Sequence, residues 1–122
     1  MSGKPRRGEI YVVDFDPTRG SEQGGRRPAL IVSNDVANAS ASPIVTVVPL
    51  THTIPKKNYP QNVNIPVTLL DQQGGTIFCG QILTVSKERL GNFHGTLPMD
   101  MMDAVDEALR IHLALPEFAV DP

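Results

Sequence analysis

Glu9-Ile10-Tyr11-Val12-Val13-Asp14-Phe15 is a run of β-branched and aromatic residues closed off by Asp16-Pro17. Such side chains suit a pleated, half-buried surface, so the run predicts a strand. Downstream, Thr18–Arg27 carries Gly20, Gly24 and Gly25 and almost no apolar side chain, which makes it a loop. Pro28–Ser33 is short and mostly apolar and predicts a second strand, central in a sheet. Asn34–Pro43 reads as a polar link of small residues, and Ile44–Leu50 as a third strand. Pro49 lies near its end, where a missing N–H is tolerable at an edge or bulge.

Further along, Thr51–Asn62 holds Pro55, Lys56, Lys57 and Pro60 and reads as a second loop. Val63–Val67 predicts a strand bent at Pro66, Gly74-Gly75 a turn, and Thr76–Val85 one more strand. Ser86 can cap a short turn through Leu90, after which Gly91–Gly95 is expected to be irregular. One long helix is expected, from about Asp100 to Leu115. Met101, Val105, Ala108, Leu109, His112 and Leu113 follow the spacing of a single apolar stripe, with His112 half-buried on it. Asp100 is placed to cap the helix, Asp103 holds the capping-box position, and Pro116 ends it. Five or so short strands with a closing helix fit a mainly β fold, a small curled antiparallel sheet or barrel with the helix packed across it.

The chain of 122 residues is expected to form a single domain spanning 1–122, since domains most often run to about 100–150 residues. Apolar residues at 40% and charged ones at 20% fit neither the disordered nor the highly charged class. Eleven Pro and ten Gly favour many short elements over a few long helices. The lone Cys79 excludes an internal disulfide and a multi-thiolate metal site. No apolar segment follows the basic start, and no stretch approaches the about 18 apolar residues of a membrane span. A cytoplasmic chain with no membrane partner is expected. The net charge of -2 conceals a segregation: Met1–Ile31 holds six Lys/Arg against four acids, whereas Asp100–Pro122 holds six acids against Arg110 alone. The front of the chain can therefore present a positive patch.

Chemistry concentrates in two places. The loop Gly20-Ser21-Glu22-Gln23-Gly24-Gly25-Arg26-Arg27-Pro28 leads straight into the second strand. Its glycines allow backbone N–H groups to face a phosphate, and guanidinium forks match phosphate oxygens. The Lys-Ser/Thr of a nucleotide-triphosphate loop is absent. Thr51 and His52 close the third strand, where a side chain is held by the sheet yet exposed at its rim; Thr51 can equally serve only to bond a turn. The three histidines, His52, His94 and His112, lack ligand spacing, and Asp16 beside Pro17 reads as a turn cap rather than as half of an Asp14–Asp16 metal pair. An arginine and a hydroxyl suit RNA, whose own 2′-OH is poised beside the scissile phosphate. Arg27 can stabilise charge on the phosphorane oxygens, Thr51 can donate to a non-bridging oxygen, and Glu22 can accept a proton or organise the loop. That chemistry needs no cofactor, spares DNA, and leaves a 2′,3′-cyclic phosphate and a 5′-hydroxyl. The guanidinium contributes charge rather than a proton, because its pKa exceeds about 12.

At these residues the sequence resembles the MazF/PemK family of toxin endoribonucleases, or mRNA interferases, over nearly its whole length. The matching pieces are Arg7–Tyr11, Asp14–Pro17, Gly20–Asp35, Pro49–Thr51, Gln81–Val85 and Lys87–Leu90. The resemblance implies an SH3-like, partly open barrel of the CcdB/MazF kind, acting as a homodimer on single-stranded messenger RNA. It implies Arg27 and Thr51 as the catalytic pair, and Glu22, Gln23 and Gln81 as substrate contacts. Ser21 and Arg26 join them from the basic loop, although Arg26 can equally be merely solvated. A cognate antitoxin with an acidic tail is implied as partner, drawn to the basic front half. The departures fall in one strand: Gly80 stands where an acid is common, Leu83 where an arginine is common, and Ser86 where an Asp is frequent. Base preference and subunit pairing therefore do not transfer. Two other readings stand beside it: a gyrase-binding toxin of the same fold group and a non-catalytic RNA-binding barrel. The first would work through an aromatic-bearing helix end, of which Leu115-Pro116-Glu117-Phe118 offers little.

Overall fold

The computed structural model describes residues 4–15, 25–53, 55–66 and 74–116. Among them are seven strands: β1 (Glu9–Asp14), β2 (Arg26–Ile31), β3 (Ile44–Thr51), β4 (Asn62–Ile65), β5 (Gly75–Phe78), β6 (Leu83–Ser86) and β7 (Leu90–Thr96). Two helices, α1 (Asp35–Ala39) and α2 (Met99–Leu113), accompany them. The sheet runs β4-β5-β3-β2-β1-β7 with β6 also against β3, and its pairings are antiparallel. It is mainly β with a C-terminal helix, as the residue patterns imply.

Side-chain alternation gives the sheet two buried faces. Leu30, Val48 and Leu50 join Val63, Ile65 and Ile77 under α2, which contributes Met102, Val105, Ala108 and Leu109. The intervening residues Val13, Ala29, Ile31, Val45 and Val47 form a second core with Val85. Among the described residues no helix is long and apolar enough to cross a membrane.

The expected strand Thr76–Val85 is interrupted. Along β3, β5 pairs Leu50 with Ile77 whereas β6 pairs Val47 with Leu83. The paired numbers sum to 127 and then to 130, so three extra residues lie on the incoming side. A 3₁₀ turn, Cys79–Gln81, takes them up. Gly91–Gly95, expected to be irregular, belongs to β7. Its pairing with β1 slips twice, Ile10↔Gly95 to Tyr11↔Phe93 and then to Val13↔Leu90, each slip adding one residue on β7. Those bulges erase the alternation by which a strand is recognised.

Asn34–Pro43 is likewise not a plain link. Asn34 caps α1 by accepting from the Ala37 N–H at 2.8 Å. Asn38 is fully buried yet satisfied: its Nδ2 donates to Ser33 O at 2.8 Å, and Ser33 Oγ donates to its Oδ1 at 2.5 Å. Ser86 does cap the short turn Lys87–Arg89, accepting from the Glu88 N–H.

Helix α2 begins one residue before Asp100. Pro98 is its N-cap, and Asp100 sits inside the first turn with Oδ1 accepting from the Met101 N–H. Neither Asp100 nor Asp103 therefore caps it as expected. The buried stripe is Met102, Val105, Ala108 and Leu109, with Met101 only partly covered, while His112 and Leu113 are exposed. The helix stops at Ala114, whose left-handed backbone (φ 55°, ψ 39°) lets Leu115 N–H reach Arg110 O at 2.9 Å. Glycine suits that conformation better than alanine does. Ala114→Gly is expected to raise stability by about 0.5–1 kcal/mol, read from urea unfolding midpoints.

The N-terminal arm is stitched to both ends of this framework. Gly8 N–H bonds Ile31 O, and Arg7 N–H bonds Asp35 Oδ1. The Arg7 guanidinium donates to Val32 O through Nε and pairs with Asp106 of α2 through Nη2.

Candidate active site

The β2–β3 ladder runs Ile31↔Val47, Leu30↔Val48, Ala29↔Pro49 and ends there. Pro28, the next residue of β2, has no N–H to donate to β3, so the ladder loses a donor just past its last pair. Beyond it β2 stays with β1, pairing Val13↔Arg27 and Asp14↔Arg26, while β3 turns to β5, pairing Leu50↔Ile77 and Thr51↔Thr76. The strands part like a fork. Arg27 and Thr51 occupy equivalent positions, each two residues past the last pair, on the two prongs. By alternation both belong to the face that carries Ala29 and Val47. Both are half-buried.

The Thr51 hydroxyl is oriented by the chain that follows it. Its Oγ1 accepts from the Thr53 N–H at 3.2 Å, which leaves its own proton to be donated outward. Arg26 is exposed on the side of β2 opposite to Arg27. Across the sheet from it, Arg89 Nη1 donates to Asp14 O at 2.9 Å, fixing the point where β1 leaves for the glycine-rich loop. Phe15 N–H bonds Gly25 O at 2.9 Å and closes that loop at its base. Ser21, Glu22, Gln23 and the turn residue Asp16 lie outside the described residues.

Gln81 is exposed at the end of the 3₁₀ turn, along the β3 edge between the segments paired with β5 and β6. It therefore borders the same strand as Thr51, on the edge away from Arg27. Gly80 beside it is confined: a Cβ there would stand 3.0 Å from Gln61 Cγ and 3.5 Å from His112 Nδ1. The space that an acid would occupy at that position is thus held by Gln61 and the imidazole of α2.

Two other groups with latent reactivity are silenced by their surroundings. Burial, with Asp106 adding to it, pushes the Cys79 thiol up to about 12, so it stays an uncharged thiol at neutral pH. Burial and the bond from its hydroxyl to Glu9 Oε1, 3.0 Å, push Tyr11 up to about 12 as well. Its ring meets Phe93 edge-on, with centroids 5.5 Å apart. Among the described residues no three of His, Cys, Asp and Glu converge as a metal site would require. The chemistry available at the fork is that of a guanidinium and an oriented hydroxyl. His52, next to Thr51, is a further member whose partner is invisible to sequence: its Nδ1 lies 3.1 Å from Gly74 O, 22 positions away.

Known proteins share this arrangement of elements. Residues 6–113 match the family described as PemK-like, MazF-like toxin of type II toxin-antitoxin system. The chain is similar to Endoribonuclease EndoA of Bacillus subtilis, 41% identical over 114 residues that cover 93% of this chain and 97% of the relative. It is also similar to Endoribonuclease MazF9 of Mycobacterium tuberculosis, at 42% identity over 90% of this chain and 97% of the relative. Among solved structures, an endoribonuclease in complex with its cognate antitoxin, from a mycobacterial species, superposes with a TM-score of 0.77 at 29% identity, covering 93% of this chain and 98% of that one. With its residues 6–113 matched and its relatives above 40% identity along nearly their full length, the chain belongs to the PemK-like, MazF-like toxins of type II toxin-antitoxin systems.

Proposed function

We propose that this protein is an endoribonuclease toxin that cuts single-stranded messenger RNA at selected sequences, using the 2′-hydroxyl of the RNA as nucleophile. The observation that carries the reading is the fork. It sets Arg27 and Thr51 at matching positions on two strands, each two residues past the last pair that the strands share. The guanidinium opposes the charge that builds on the non-bridging oxygens as the 2′-oxygen attacks phosphorus. The Thr51 hydroxyl, with its acceptor side engaged by Thr53 N–H, donates a hydrogen bond to one of those oxygens. As the P–O2′ bond forms, the 2′-hydroxyl gives up its proton to solvent. The P–O5′ bond breaks and the departing 5′-oxygen takes a proton from solvent, so the products are a 2′,3′-cyclic phosphate and a 5′-hydroxyl. The nucleophile is part of the substrate, so this scheme requires no metal or other cofactor. Ser21, Glu22 and Gln23 of the glycine-rich loop, with Arg26 and Gln81, would hold the flanking nucleotides.

A solved relative is in complex with its cognate antitoxin, which supports an antitoxin as the protein partner of this chain as well. A cytoplasmic homodimer completes the proposal. The direct test is incubation of the purified protein in EDTA with a mixed-sequence single-stranded RNA and with DNA of the same sequence. Cuts in RNA alone, each leaving a cyclic phosphate, are expected. Equal cutting of the DNA, or 3′-hydroxyl product ends, would refute the mechanism, since DNA lacks the internal nucleophile.

A further inference from the structure

Thr51 is the last residue of β3, and it lies where the strand has lost β2 as a neighbour. Its hydroxyl is aimed through the Thr53 N–H, so its direction depends on the conformation of residues 52 and 53. A strand end of this kind frays unless something ties it down. Thr51 itself is paired with Thr76 of β5, and the tie for the residues just past that pair is the imidazole of His52, whose Nδ1 sits 3.1 Å from Gly74 O.

We propose that His52 is a positioning residue, whose Nδ1–H bond to Gly74 O pins the end of β3 to the start of β5 and thereby aims the Thr51 hydroxyl. The proposal rests on reading Thr51 as the hydroxyl that meets the phosphate. A carbonyl oxygen can only accept, so Nδ1 carries the proton and the neutral ring has its lone pair on Nε2. The two segments that this bond joins already touch through their backbones. A Cβ at Gly75 would stand 1.9 Å from Thr51 O and 3.0 Å from His52 Cα, while Gly74 lies against the end of β4, where a Cβ would stand 2.6 Å from Ile65 O. Both glycines also have positive φ, +67° and +148°. The glycine pair allows the approach, and the imidazole closes it. In this arrangement His52 takes no proton from the RNA; its contribution is the geometry of the residue before it.

Asn and Gln separate this role from proton transfer, because an Asn amide reaches the place of Nδ1 whereas a Gln amide reaches that of Nε2. His52→Ala is expected to lower kcat by about ten- to a hundredfold, since a small misplacement of a reacting group is enough to cost that much. KM and the thermal midpoint should hardly move. His52→Asn should recover most of the lost rate and His52→Gln little of it. Full activity in His52→Ala, or recovery by Gln but not by Asn, would overturn the proposal. Ring-nitrogen NMR of the wild-type protein provides a check without any substrate. It should show Nδ1 protonated and Nε2 bare in the neutral ring, and the reverse pattern would also overturn the proposal. A wild-type protein that fails to cut RNA would instead defeat the proposed function, while the NMR still decides whether the clamp exists.

Discussion

Alanine at position 27 is expected to lower single-turnover RNA cleavage by about a hundred- to a thousandfold, the usual loss when one charge-stabilising donor leaves a reacting centre. The expectation follows from where Arg27 stands. It is half-buried at the lip of the fork, two residues beyond Ala29↔Pro49, where water screens a guanidinium less than it does on an open surface. Lysine should recover little, because a point charge cannot engage two oxygens in the plane of a fork. Thr51→Val keeps the branched shape and removes the hydroxyl, so it isolates the second donor. Combining the two substitutions should cost less than the product of their separate effects if both groups act on one phosphate. Strictly multiplicative losses, or an Arg27→Ala protein that cuts at the wild-type rate, would dissolve the shared site.

Gly75→Ala is expected to damage both stability and cleavage. The backbone there has φ +148°, and the added methyl would fall 1.9 Å from Thr51 O, inside any permitted contact. Strain of this kind with the displacement needed to relieve it costs about 2–4 kcal/mol. Relief can come only if β5 moves away from β3, carrying Thr76 away from Thr51. Guanidinium unfolding and cleavage should therefore fail together. Gly25→Ala is the control. Its φ of +79° also favours glycine, but a Cβ there meets nothing within 4 Å. Its cost should stay near about 1 kcal/mol. An alanine at 75 as benign as one at 25 would show that the approach of β5 to Thr51 is looser than the structure has it.

Much of this architecture is legible in the sequence wherever one physical rule acts alone. β1 and β3 are runs of β-branched and apolar residues close to a proline or glycine, and they fold as such. β2, by contrast, is Arg26–Ile31 rather than the expected Pro28–Ser33, so Arg26 and Arg27 stand on the strand and not in the loop before it. Helix α2 declares itself by its stripe, although the expected stripe overran the buried one by taking in the exposed His112 and Leu113. The elements that sequence hides are those where two rules compete. α1 is polar because Asn38, the residue it buries, acts through bonds to Ser33 rather than through apolar area. β7 lacks alternation because it carries two bulges against β1. The 3₁₀ turn at Cys79–Gln81 is visible only as a three-residue mismatch between two registers.

The site divides in the same way. Arg27 and Thr51 stand out by residue type and by their places at strand ends. Their matching placement on two strands depends on the register of β2 against β3, which only the paired strands reveal. His52 was legible as a residue beside Thr51, but not its carbonyl partner 22 positions on.

The bond between Arg7 and Asp106 spans 99 positions, so the first turn of chain and the last helix close a ring that takes in nearly the whole polypeptide. Contacts so distant in sequence are slow to form, because the loop they close must be ordered before any reward arrives. Docking of α2 is therefore a late event in folding. A ribosome delivers the strands first, and the sheet face lined by Leu30, Val48 and Leu50 stays wet until the helix that covers it has been made.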